Sequence, residues 1–453
     1  MSALAADINA ALENPLVEMR HVAIRPGALH EVVDALHGAR RVAYLTDANM
    51  FTTATDENVK QTIQALLEDA AHVTKVVIEG EVHADENTVA RAVDGCVGVE
   101  VIVTFGSGTL CDIGKVAAAK NGARHVVLQS ASSVNGFADD QSVLLVNGVK
   151  RTTHSGWPDV LLIDVDVVSH APVELNASGL GDMISMFSAP ADWYLSSLFN
   201  LDRGWNPDAA MLTRRHGEQL LSIAPGLARG DADAAKTLSE FVTLSGFSMG
   251  VAGQTSPSSG MEHTVSHMLD MAKGARGEST AHHGAQVGVA TIVATRVWER
   301  MSAKLAAGEL SEFTILSDED ARARINEAFG WMDESGSTAN ECWNDYKKKI
   351  DHLREIRADT VLAHVQDGWP EHAAALESML AAPARVANAL KAAGAPVTFA
   401  TLNEPASDSD VVWALTNCHL MRSRFTIADL AFATGNWTVE DIAEVQREVA
   451  DIA

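Results

Sequence analysis

The sequence predicts an α/β domain built on a parallel sheet over residues 1–168 and an all-helical domain over residues 169–453. Three observations lead there. The chain has 453 residues, more than one hydrophobic core ordinarily serves. Its first third alternates short apolar runs with amphipathic stretches, the pattern of parallel strands joined by crossover helices. Beyond about Val168 the apolar runs stop and long stretches of helical period take over.

Taken in order, Arg41 to Asp47 reads as a buried strand, Thr55 to Ala71 as a helix and Val73 to Ile78 as the next strand. Asn87 to Val97 is helical in pattern, and Val101 to Phe105 is a third strand. A glycine-rich turn, a helix through Ala119 and the strand Val126 to Leu128 follow. Val143 to Lys150 reads as a hairpin, because Asn147-Gly148 suits a two-residue turn. Leu161 to Asp164 is the last strand. The helical part is predicted over 181–199, 208–223, 231–250, 262–273, 284–304, 318–329, 340–362, 370–393, 409–422 and 439–452.

Hydrophobic residues make up 47% of the chain, enough for sizeable cores, and charged residues 21%. The formal net charge of -26 argues against nucleic acid and anionic membrane surfaces as partners, since both are bound through basic patches. A small-molecule substrate is expected instead, and an anionic one needs a local basic pocket. Cys96, Cys111, Cys342 and Cys418 are scattered, so no disulfide framework or cysteine zinc site is expected. No apolar run reaches the roughly 18 residues of a membrane helix, and residues 1–7 do not read as a signal peptide. The expected location is the cytoplasm.

Val101 to Lys115 reads as strand, glycine turn and helix: Phe105-Gly106-Ser107-Gly108-Thr109-Leu110-Cys111-Asp112. Glycines let a backbone approach a pyrophosphate, and the helix start supplies N–H groups and a positive dipole end. The third glycine of the dinucleotide fingerprint is missing, so the turn alone also fits an ordinary strand-to-helix connection. Asp47 closes a strand, where a carboxylate can bind ribose hydroxyls and repel a 2′-phosphate; a turn or cap is the commoner use of Asp. Ser130, Ser132 and Ser133 follow the fourth strand and fit either phosphate contacts or a capped turn.

His263 and His267 are four residues apart and share a helix face. His282 and His283 follow at the start of the next helix. Neutral imidazoles ligate zinc and similar ions. The order Glu-His-x-x-x-His is not the metalloprotease helix. Asp182, in Gly179-Leu-Gly-Asp182 at the expected start of a helix, offers a carboxylate that could complete a metal set or serve as an N-cap.

The order of these motifs, with His283-Gly284-Ala-Gln-Val-Gly288 and the segment His419 to Ile427, resembles the sn-glycerol-1-phosphate dehydrogenase family. That family lies in the iron-containing alcohol dehydrogenase and glycerol dehydrogenase superfamily. The resemblance runs from about Arg41 to the C-terminal region. It implies a Rossmann-like nucleotide-binding domain followed by an all-α metal- and substrate-binding domain, the dehydroquinate synthase-like or glycerol dehydrogenase-like architecture. It implies an oxidoreductase interconverting dihydroxyacetone phosphate and sn-glycerol 1-phosphate by NAD(H)-linked hydride transfer at a metal-polarised carbonyl, and a homo-oligomer.

Carried over by position, Asp182, His263 and His283 would be metal ligands, and Asp182 and His267 would contact substrate, with His267 able to relay a proton. Asp47, Gly106, Ser107, Gly108, Thr109, Asp112, Ser130, Ser132, Ser133 and Asp139 would line the cofactor, and Asp47 would favour NAD over NADP. Related four-ligand iron enzymes carry a further His where this chain has Met186. A three-ligand site suits zinc, with nickel or iron as alternatives.

The family pattern Asp-Gly-(Phe/Tyr)-Ala-Ser is here Asn135-Gly136-Phe137-Ala138-Asp139. Asn135 loses the charge that touches substrate and gains a donor, while Asp139 replaces a hydroxyl. These departures motivate an alternative within the same fold: another secondary alcohol, polyol or phosphonate-type substrate.

Overall fold

The computed structural model describes residues 2–53, 58–80, 82–146, 149–202, 204–310 and 312–453. Two compact units form, one of Met1–Met183 with Glu218–Gly253 and the other of Ile184–Gly217 with Gln254–Ala453.

The first unit is built on a six-stranded parallel sheet. Its strands are β1 (His21–Arg25), β2 (Arg41–Asp47), β3 (His72–Ile78), β4 (Val101–Gly106), β5 (Arg124–Gln129) and β8 (Val160–Asp164), in the order β1-β8-β5-β4-β2-β3. β6 (Gln141–Val146) and β7 (Val149–His154) form a separate antiparallel hairpin. The expected turn at Asn147-Gly148 lies outside the described residues, as does the expected helix start at Thr55.

Helices cover both sheet faces. α1 (Ala3–Leu12) opens the chain, and α2 (Val59–Ala70), α3 (Glu86–Gly95) and α4 (Gly108–Asn121) lie between strands. α5 (Val173–Met183) and α6 (Ala232–Ala252) complete the set used below. Alternate residues of one strand feed separate cores. Val42, Tyr44, Val101, Val103 and Phe105 enter one cluster, and Ala43, Leu45 and Ile102 the other. Burial on both sides explains why β2 and β4 read as continuous apolar runs. Strand β1 escaped sequence reading because only Ala23 of its five residues is buried.

The second unit is helical; among the described residues it contains no strand. Its central pair is α7 (Met261–Ala275) and α8 (His283–Ala307), which pack on each other. Several expected long helices are broken. The stretch expected as one helix over 181–199 is the end of α5, a 3-10 turn over Ile184–Phe187 and a helix over Ala189–Leu198 that carries Pro190 in its first turn. Proline suits a helix start and cannot continue a helix through its N–H. Asp182 therefore sits in the last turn of α5, not at a helix start. The stretch 340–362 breaks at Arg357, which takes a left-handed φ of 55°. The stretches 208–223, 370–393 and 409–422 are likewise interrupted. Among the described residues no helix is long and apolar enough to cross a membrane.

Candidate active site

In the sheet unit, the chain leaves β2 for β3 on one side and returns to β4 on the other. Beyond the carboxyl ends of the strands, such a reversal is the position where open parallel sheets bind ligands. Asp47 ends β2 and Gly106 ends β4, so two expected cofactor positions lie at this reversal. Asp47 is also engaged locally. Its carboxylate accepts the Asn49 N–H at 2.9 Å and pairs with the Lys60 ammonium.

The glycine turn leads directly into α4. Ser107 is its N-cap, yet its side chain does not cap the helix; Ser107 Oγ lies 2.6 Å from Ser133 Oγ instead. Ser130 donates its N–H to Gly106 O at 2.9 Å, which joins the two loops. Thr109 is exposed in the first turn of α4. The close helix–strand packing that a third fingerprint glycine would serve is served by Gly114, which sequence reading passed over. A Cβ there would fall 2.3 Å from Thr104 Oγ1.

Asp112 and Asp139, both expected to line the cofactor, are held by Lys115. Its ammonium lies 2.7 Å from Asp139 Oδ1 and 3.3 Å from Asp112 Oδ1, and donates to Gly136 O at 2.7 Å. All three side chains are buried. Asp112 also accepts the Val143 N–H at 3.1 Å. Burial raises the Asp112 carboxyl to about 7 against the opposing pull of Lys115, with Asp139 adding to the rise. This set joins the glycine-turn helix to the loop carrying Asn135.

That loop also fixes α5. A Cβ on Gly179 would lie 1.7 Å from Ser132 O, so the helix backbone presses against the loop. Ser178 Oγ donates to Ser133 O at 3.3 Å, and Ser132 Oγ lies 2.8 Å from Ser239 Oγ of α6. The Asn135 N–H then donates to Asp182 Oδ2 at 3.0 Å, while Asn135 Nδ2 donates to Ser245 Oγ at 3.1 Å. Asp182 is fully buried, and one of its oxygens is aimed by the Asn135 backbone.

In the helical unit, α7 presents His263 and His267 toward His283, the first residue of α8. The ring centroids lie 5.3 Å apart for His263 and His283, 5.4 Å for His267 and His283, and 6.2 Å for His263 and His267. A ring nitrogen of His263 and one of His283 fall within 4.8 Å of each other. His282 is the N-cap of α8 and donates its N–H to Asn403 Oδ1 at 3.0 Å. Met186 is buried in its 3-10 turn and brings no nitrogen.

Each imidazole has an outer partner. His263 Nδ1 lies 3.0 Å from Glu262 Oε1. Glu262 also accepts the Gly260 N–H at 2.6 Å and the Ser188 hydroxyl at 2.8 Å. Burial alone would raise its carboxyl, but His263 and the Gly260 N–H hold it below the usual carboxylate range. A carboxylate accepts from Nδ1–H, which leaves the lone pair on His263 Nε2, the arrangement of metal-ligating histidines. His283 Nδ1 lies 3.2 Å from Ser266 Oγ, and His267 Nδ1 lies 2.6 Å from Arg422 Nη2. The start of α7 is fixed by Asp192, which accepts the Met261 N–H at 2.8 Å, the Ile427 N–H at 2.9 Å and Trp298 Nε1–H at 3.0 Å. Sequence reading missed Glu262, although its place beside His263 was a signal; it had none for Asp192.

Two imidazoles with adjacent ring nitrogens, His263 buried and His283 half-buried, and an anionic outer partner fit a borderline divalent ion such as zinc. The iron-containing alcohol dehydrogenase family model matches residues 23–172. The glycerol-1-phosphate dehydrogenase [NAD(P)+] of Bacillus licheniformis is 30% identical over 295 residues, covering 64% of this chain and 73% of that protein. The same-named protein of Methanothermobacter thermautotrophicus is 29% identical over 231 residues, covering 51% and 64%. Among solved structures, glycerol dehydrogenase from Schizosaccharomyces pombe matches with a TM-score of 0.58 at 15% identity, covering 96% of this chain and 89% of that one. Maleylacetate reductase from Agrobacterium tumefaciens matches at 0.57 and 16%, covering 96% and 97%. These two share the fold. The chain belongs to the glycerol-1-phosphate dehydrogenase family of iron-containing alcohol dehydrogenases and is an oxidoreductase.

Proposed function

We propose that this enzyme interconverts dihydroxyacetone phosphate and sn-glycerol 1-phosphate with NAD(H), using one divalent ion held by Asp182, His263 and His283. The observation that carries the reading is the cluster of three histidines, His263 and His267 buried and His283 half-buried, with Glu262 behind His263. Residues 1–168 would hold the cofactor, and the helical residues 169–453 the metal and substrate.

A bound ion supplies Lewis-acid polarisation of the substrate oxygen, and the nicotinamide carries the hydride. The chain's own residues do the rest. Glu262 keeps His263 oriented, and the Asn135 N–H keeps Asp182 aimed. His267 hydrogen-bonds the oxygen that becomes the alkoxide on reduction. The loops at Gly106 to Thr109 and Ser130 to Ser133 approach the pyrophosphate, and Asp47 disfavours a 2′-phosphate.

Four cations near these motifs could meet a substrate phosphate. Arg276 is paired with Glu278 and Asp410, Arg424 donates to Ser259 O and Thr255 Oγ1, and Lys273 donates to Glu404 O. Arg422 is engaged by His267 Nδ1 at 2.6 Å. Asn135 and Asp139, the two departures from the family pattern, make internal contacts with Ser245 and Lys115. A ketone panel with NADH tests the substrate: a higher kcat/KM for dihydroxyacetone phosphate than for dihydroxyacetone supports it, and the reverse order refutes it in favour of an unphosphorylated polyol.

A further inference from the structure

We propose that Arg422 is a positioning residue that fixes the tautomer of His267, so that His267 presents Nε2–H, and not a lone pair, to the substrate oxygen. The proposal rests on the assignment of His267 as the group that contacts that oxygen. A guanidinium offers only N–H donors and stays charged. With Arg422 Nη2 at 2.6 Å, His267 Nδ1 must be the acceptor, which places the ring proton on Nε2.

His263 is polarised in the opposite sense. Its Nδ1 faces a carboxylate, so the proton sits there and the lone pair on Nε2. Two histidines four residues apart on α7 are thereby given different chemistry by their outer partners: His263 offers a lone pair suited to a cation, His267 a proton suited to an oxygen. A neutral imidazole that donates from a fixed nitrogen can stabilise developing alkoxide charge without changing its own protonation state.

Arg422 is held for this task. Lys349, buried in the helix Ser337–Glu355, donates to His419 O at 2.6 Å and Arg424 O at 3.1 Å and pairs with Asp429 at 2.6 Å. Arg424 ties the same segment to Ser259 O and Thr255 Oγ1, just ahead of α7. Residues 419–424 are strapped on both sides of Arg422, which limits where its guanidinium can go.

The test combines histidine ¹⁵N NMR with kinetics on the metal-loaded enzyme. His267→Asn identifies the His267 signals. The wild-type ring should carry its proton on Nε2 alone. Arg422→Met should give a mixture of tautomers and a kcat lower by about ten- to a hundredfold, with KM nearly unchanged, and Arg422→Lys should restore much of kcat. A wild-type His267 protonated on Nδ1 would overturn the proposal, as would Arg422→Met with wild-type kcat. An Arg422→Met effect confined to KM would overturn it in favour of a purely substrate-binding arginine. The tautomer readout needs only His267→Asn to fold, so it stands even if Arg422→Met does not. Failure of the underlying functional reading looks different: the wild-type enzyme would not oxidise NADH with dihydroxyacetone phosphate.

Discussion

The backbone N–H of Asn135 donates to Asp182 Oδ2 at 3.0 Å, so the loop that follows the serines proposed to contact the cofactor also aims the proposed carboxylate ligand. Because the donor is main chain, Asn135→Ala keeps this contact and loses only the bond to Ser245, worth about 1 kcal/mol. Asp182→Asn keeps an acceptor for the same N–H but removes the anionic ligand. Dialysis followed by elemental analysis should find metal retained in Asn135→Ala. In Asp182→Asn affinity should fall by more than about a hundredfold, beyond the loss of an outer partner. Equal metal content in the two variants would break the assignment.

Glu262 makes a second prediction. Glu262→Gln has nearly the same shape but no charge to favour the His263 Nδ1–H. Metal affinity should drop by about ten- to a hundredfold, with turnover recovering at high metal concentration. Titration of the metal-free protein with zinc, followed by activity, reads both effects. Unaltered affinity would show that the carboxylate does not support the ligand.

Lys115 holds two buried carboxylates. Lys115→Met leaves Asp112 and Asp139 without their cation, and loss of one partner of a buried ion pair costs about 3–5 kcal/mol. Chemical denaturation should show that loss in the midpoint. A change below about 1 kcal/mol would mean the set is solvated, contrary to its burial.

Asp192 predicts a pH dependence. Burial, with the nearby Glu262 charge, raises its carboxyl to about 8, against about 3.9 when unfolded. The folded state therefore binds the proton more tightly. The stabilisation it contributes is complete below about pH 4 and is lost as pH rises toward 8. Between pH 5 and 8 the wild type should lose more stability than Asp192→Asn, by at most about 4 kcal/mol. The variant carries a constant penalty for its altered cap on Met261. Parallel slopes in denaturation midpoints against pH would remove Asp192 as the titrating group.

The sheet was legible because its central strands are buried on both faces and read as unbroken apolar runs. β1 was not, since an edge strand with one buried residue carries no such signal. In α5, residues 176–183 are buried all round, so helical period gave no guide to its limits and Asp182 was expected at the wrong end of a helix. The histidine cluster was readable from local spacing. The contacts that give its members distinct roles were less so: Arg422 meets His267 across 155 residues of sequence, and Lys115 meets Asp139 across 24. Local patterns do not encode such pairings; the fold supplies them.

The most direct test of the central claim is NADH oxidation by dihydroxyacetone phosphate, measured on one preparation before chelation, after chelation and after a divalent ion is restored. Turnover is expected in the first state, a loss of at least about a thousandfold in the second, corresponding to about 4 kcal/mol of transition-state stabilisation, and recovery in the third. Undiminished turnover by protein shown to be metal-free would contradict it.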